Sequence, residues 1–111
     1  MGLFDKIKKA AASAKDGYVE AYQWANGKEL KEIHQAMMET KVSEVAKLSG
    51  YKMVFREKCE ELDSKSLVAL HRELKSTGFI LKTNHAQQIM EDILVNRGIF
   101  HRDEDGVVTE Y

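Results

Sequence analysis

The sequence has no proline, a single cysteine, 8% aromatic residues and a formal net charge of only −1 over 111 residues. Each shortage excludes something. Without proline, no residue is forced to break a helix by lacking an amide donor, and a chain full of Ala, Leu, Lys and Glu favours helices throughout. One cysteine, Cys59, rules out an internal disulfide framework and fits a reducing, cytoplasmic setting. Near-neutrality gives no global attraction to nucleic acid or anionic lipid. No apolar run approaches the length of a membrane span, and nothing resembles a signal peptide. Met1-Gly2 does not form a myristoylation signal, because Lys6 stands where that signal needs Ser or Thr. Internal repeats, low-complexity tracts and linkers are also missing.

What is present describes a folded protein. Hydrophobic residues make up 43% and charged residues 32%, the balance of a globular chain able to bury a modest core as one domain spanning residues 1–111. Charge is unevenly spread: residues 1–60 carry two more basic than acidic side chains, and residues 61–111 three more acidic than basic.

Residues 2–25 form an amphipathic helix, expected either to dock or to act as an arm. Leu3, Phe4, Ile7, Ala10, Ala11, Ala14, Tyr18, Ala21, Tyr22 and Ala25 share one narrow arc. The arc continues through Asp16-Gly17, which favours one helix over two. The opening GLFDKIKKAAASA resembles amphibian membrane-active peptides of the aurein type. That resemblance implies attachment to a membrane surface through residues 2–15, with Leu3, Phe4 and Ile7 inserted. The competing expectation, favoured because the face is alanine-rich and weakly hydrophobic, is packing against a helix of this chain or of a partner.

Asn26-Gly27 signals a turn. A second helix carries Leu30, Ile33, His34, Met37 and Met38 on one face, weakens at Thr40-Lys41-Val42, and is expected to end by Ser49-Gly50. Tyr51, Val54, Phe55, Cys59 and Leu62 outline a third. Asp63-Ser64 caps a fourth, with Leu67, Leu70, His71 and Leu74 inward and Gly78 as its stop. Phe79-Ile80-Leu81 is long enough for one strand beside a terminal hairpin. The last stretch has the clearest grammar. Asn84 is an N-cap, Ala86, Ile89, Met90, Ile93 and Leu94 recur at helical spacing, and Gly98 follows Arg97 as a C-terminal stop. Ile99-Phe100 and Val107-Val108 then flank the acidic turn Asp103-Glu104-Asp105-Gly106. The expected fold is mainly α, about five helices in one domain closed by a C-terminal β-hairpin.

Chemistry is sparsely signalled. His34, His71, His85 and His101 are scattered without zinc-like spacing, and His34 and His71 fall on or beside apolar faces. His101 and the acidic turn lack EF-hand spacing. Cys59 has the spacing of a buried, inert thiol. No nucleophile elbow or phosphate-cradling glycine loop is present. The expectation is a protein that is not an enzyme, with no catalytic residue, metal or cofactor.

Two stretches carry resemblances to DNA-binding regulators. Val42 to Tyr51, with Ala46 and Gly50 at the usual four-residue interval, resembles the first helix and turn of helix-turn-helix proteins. It departs from them at Arg56, where they place a buried aliphatic residue. Residues 63–111 resemble a winged helix, with Asp63–Thr77 supporting, Asn84–Arg97 as recognition helix and Ile99–Glu110 as wing. The winged-helix resemblance implies base contacts from Asn84, Gln87 and Gln88 and phosphate contacts from Lys82 and Arg102. Glu91 and Asp92 on the same face, and the acidic turn at the wing tip, oppose phosphate binding. They favour a protein partner for that face. Trp24 falls off the stripe of its own helix and is a candidate anchor for a partner or a second copy of the chain. The sequence therefore points first to a small regulatory or adaptor protein working through protein–protein contact. A winged-helix DNA-binding regulator comes second, and a peripheral membrane protein third.

Overall fold

A computed structural model of the chain describes residues 17–41, 43–75 and 84–110. The expected membrane-facing stripe of residues 2–15, the strand at Phe79-Ile80-Leu81, the stop at Gly78 and the phosphate contact Lys82 lie outside the described residues. The architecture is mainly helical with a C-terminal two-stranded antiparallel hairpin. In order it comprises α1 (residues 17–26), α2 (Leu30–Glu39), α3 (Val45–Glu61), α4 (Ser64–Lys75), α5 (His85–Asn96), β1 (Phe100–Arg102) and β2 (Val108–Glu110). The chain separates into two compact units, with the boundary between Val54 and Phe55, inside α3.

In the first unit, Ala21 and Ala25 of α1, Ile33, His34 and Met37 of α2, and Val54 of α3 are buried. Fully burying a side chain such as Ile33 contributes roughly 1.5–3 kcal/mol. The alanines contribute little area but let helices come close. The turn at Asn26-Gly27 forms as expected, closed by the Lys28 amide donating to the Ala25 carbonyl at 2.9 Å. A capping box then starts α2. Glu29 and Glu32 each satisfy the other's backbone amide, so two donors that the first turn would leave unpaired are met. At Thr40 the backbone turns extended, with φ −66° and ψ 131°, and α2 ends. The Thr40 amide and hydroxyl both donate back to the Ala36 carbonyl, at 3.0 and 2.6 Å, so the last turn is closed by backbone and side chain together.

The expected helix end at Ser49-Gly50 is not there. Both residues lie inside α3, which runs unbroken for 17 residues. The glycine is required for proximity instead of termination. A Cβ at position 50 would stand 2.6 Å from the Tyr18 carbonyl oxygen and 2.9 Å from the Ala21 Cβ, so only a residue without a side chain lets α1 and α3 cross there. The helix-turn-helix resemblance of Val42 to Tyr51 falls with it, because its turn glycine is part of a continuous helix.

The second unit follows the sequence more closely. Phe55 and Cys59 from α3, Leu67, His71 and Leu74 from α4, and Phe100 from β1 are buried, as are Ala86, Ile89, Met90, Ile93 and Leu94 from α5. All five α5 positions are those set by its three- and four-residue spacing. Asp63 begins α4 by accepting from the Ser66 amide at 3.1 Å and the Ser66 hydroxyl at 2.6 Å. These hydrogen bonds hold the Asp63 carboxyl below the usual carboxylate range. Asn84 begins α5, its Oδ1 accepting from the Gln87 amide at 2.9 Å. Its Nδ2 donates to the Leu74 carbonyl at 3.1 Å, so one side chain ties the end of α4 to the start of α5. Gly98 ends the fifth helix at φ 75°, a left-handed conformation that glycine adopts without strain. Arg97 donates to the carbonyls of Leu62 and Glu60 and to the Ser64 hydroxyl, bracketing the α3–α4 junction.

The hairpin pairs Phe100 with Glu110, His101 with Thr109 and Arg102 with Val108. Its turn is the acidic one expected. Asp103 exchanges backbone hydrogen bonds with Val107 and Gly106, and Gly106 takes φ 83°. Only Phe100 of the hairpin is buried, packed edge-on to the His71 ring at 5.0 Å between centroids. Ile99 and Val107, expected to flank the turn as apolar strand residues, are exposed. Arg72 of α4 holds β2 through a two-pronged contact to Glu110, at 2.9 and 2.7 Å.

Candidate interaction site

Trp24 sits where its helix geometry sends it. Ala21 and Ala25 mark the inward face of α1, and the residue before Ala25 turns outward. Its side chain is 43% exposed, yet it is not loose. The Tyr51 ring of α3 meets it edge to face, with centroids 5.6 Å apart and planes at 69°. Lys28, four residues further on in the turn after α1, holds its ammonium 5.3 Å from the indole centroid. The ring is thus braced from the side and covered by a cation.

It forms one wall of an open cleft of about 530 Å³. Glu32, Gln35, Ala36 and Glu39, spaced as one face of α2, provide the second wall. Glu44 and Lys47 join Tyr51 from α3, and Thr40 and Lys41 close the end between the two helices. The charges have different partners. Lys47 pairs with Glu44 at 3.5 Å. Glu39 accepts from the neutral amide of Gln35 at 2.8 Å, and Glu32 from the backbone amide of Glu29 at 3.4 Å. Two carboxylates therefore line the cleft with neutral donors as their partners.

The outer face of α5 is arranged differently from the open surface expected of it. Glu91 is drawn inward, its side chain 16% exposed, and accepts from His71 Nε2 at 3.1 Å and from Gln87 Nε2 at 3.0 Å. Because a carboxylate only accepts, the His71 proton sits on Nε2. Asp92 pairs with Arg102 of the hairpin at 2.6 Å. Asn84 is engaged at both ends of its amide, as described above. Of the residues proposed to read bases, phosphates or a partner there, Gln88 is exposed and Asn84, Gln87, Glu91, Asp92 and Arg102 hold one another or the main chain. The acidic turn is also self-contained, with Asp103 Oδ1 accepting from the amides of Asp105 and Val107.

Leu3, Phe4, Ile7 and Lys82 lie outside the described residues. Trp24 is therefore the sequence-derived partner residue that the structure places in a cleft, and Lys28, Tyr51, Glu32 and Glu39 are its companions that sequence reasoning missed. The i, i+4 step from Trp24 to Lys28 was visible. Tyr51 is brought in only by the crossing of α1 and α3.

Cys59, His34 and His71 are buried. Burial pushes the Cys59 thiol up to about 12 and lowers the His34 imidazole below its ordinary value. Among the described residues, no group of three or more His, Cys, Asp and Glu side chains is placed to hold a metal ion, and no helix is long and apolar enough to cross a membrane. Compared with protein families, with curated proteins and with solved structures, the chain finds no match in any of the three.

Proposed function

We propose that the chain is a small non-enzymatic regulatory or adaptor protein, resident in the cytoplasm, that works by protein–protein contact through the Trp24 cleft. The observation that carries this reading is a half-exposed tryptophan braced by Tyr51 at the wall of a cleft of about 530 Å³. Tryptophan is enriched among residues that dominate binding energy, because it buries much area at little conformational cost. The internal engagement of Asn84, Gln87 and Arg102 favours this reading over DNA binding, since each would have to leave an existing partner to reach a base or phosphate.

The test compares wild type with Trp24→Ala, both verified as folded by circular dichroism, in affinity capture after nuclease treatment and in sedimentation. Loss of a captured protein, or of a dimer, in the variant supports the reading. Identical association by both proteins removes Trp24 as the anchor. A duplex-DNA shift at low salt that collapses as salt rises would replace the reading with the DNA-binding one.

A further inference from the structure

The geometry points to an arginine side chain of the partner as the group that the Trp24 cleft receives, stacked on the indole in the place that Lys28 now holds. This deepens the protein-contact reading and rests on it. Lys28 is the internal stand-in for that ligand: its ammonium, 5.3 Å from the ring centroid, shows which charge the exposed indole face accepts. The cleft also supplies what a planar cation needs beyond a π face. Glu32 and Glu39 line it in the company of Lys41, one accepting from a backbone amide and the other from a glutamine amide, and among the described residues neither carboxylate forms an ion pair. Glu44, by contrast, already has Lys47.

Arginine rather than lysine follows from the same chemistry. Displacing Lys28 by a second ammonium exchanges like for like. A guanidinium is less strongly hydrated, stacks flat on an aromatic ring, and keeps its in-plane donors free for carboxylates. Tyr51 packs against Trp24 with the ring planes at 69°, which braces the indole while Lys28 occupies the place that the guanidinium would take. Lys28 sits beside Gly27 in the turn after α1 and is half-buried.

The experiment is calorimetric titration of the full chain with a blocked glycine–arginine repeat peptide, alongside its lysine, citrulline and glutamate counterparts. The arginine peptide is expected to bind, the lysine peptide more weakly, and the citrulline and glutamate peptides not measurably. Glu32→Gln combined with Glu39→Gln lowers arginine-peptide affinity. Lys28→Gln raises it about two- to fivefold, since one exposed cation–π contact no longer competes. Unchanged or weaker binding by Lys28→Gln, or preference for the glutamate peptide, overturns the proposal. If the arginine peptide fails while Trp24→Ala still abolishes partner capture, the cleft binds protein by other chemistry and only this inference is lost. If peptide binding survives Trp24→Ala, the arginine is held elsewhere and the proposal is equally overturned.

Discussion

Gly50 lies so close to Tyr18 that a methyl group on it would stand 2.6 Å from the Tyr18 carbonyl oxygen. That atom is backbone, part of α1, and has no rotamer by which to withdraw. Gly50→Ala therefore forces the two helices apart. Alanine improves helix propensity by about 1 kcal/mol, while overpacking costs about 1–3 kcal/mol, and the rigid neighbour puts this case at the upper end. A net loss of about 2 kcal/mol is expected in urea unfolding. A Gly50→Ala protein as stable as wild type would show that the crossing is looser than this distance.

His71 and Glu91 provide a second test. Glu91→Leu leaves the buried His71 Nε2–H without its acceptor, at a cost of about 1–3 kcal/mol. Glu91→Gln keeps an oxygen at the same reach and should recover more than half of that loss. Equal destabilisation by both substitutions would make the negative charge, not the hydrogen bond, the important term.

Cys59 should resist chemistry that free thiols undergo. Burial lifts its ionisation to about 12 from an ordinary value of 9.0, so the native protein carries negligible thiolate at pH 8. Alkylation by iodoacetamide should proceed only through unfolded molecules and accelerate with added urea. The same shift gives alkaline stability a sign. The folded state keeps a proton that the unfolded state releases, so this contribution is fully present below pH 9 and is lost as pH rises from 9 towards 12.

His34 gives the opposite dependence on the acid side. Burial lowers its ionisation below 6.5, so the folded state holds it neutral while the unfolded chain protonates first. Its contribution to stability is complete above pH 6.5 and falls as pH drops through 6.5 towards the lowered folded value. His34→Leu should flatten the unfolding midpoint over that interval, and an unchanged slope would place the acid sensitivity elsewhere.

Local signals made the second unit readable in advance. Asn84 caps, Gly98 stops, and five apolar residues between them face the core, because caps and periodicity depend only on neighbours a few residues away. Gly50 misled for the complementary reason. A glycine that ends a helix and one that admits another helix look alike until the opposing backbone is known, and Tyr18 is 32 residues distant. The candidate site divides in the same way. Trp24 was visible as a residue off its own stripe. Tyr51 and the α2 carboxylates entered only through tertiary packing. On α5 the outward residues were identified by position, but their pairing with Arg102 and His71 depends on where the hairpin and α4 lie.

The place of Trp24 has a practical side. It is the chain's only tryptophan, and the wall that it forms is already labelled by nature. Indole emission responds to the polarity and charge around the ring, and among the described residues the Tyr51 ring and the Lys28 ammonium lie against it. Whatever lifts Lys28 or turns Tyr51 changes the colour or intensity of the light emitted. Occupancy of the cleft can be followed in the unmodified protein, in real time, without a dye.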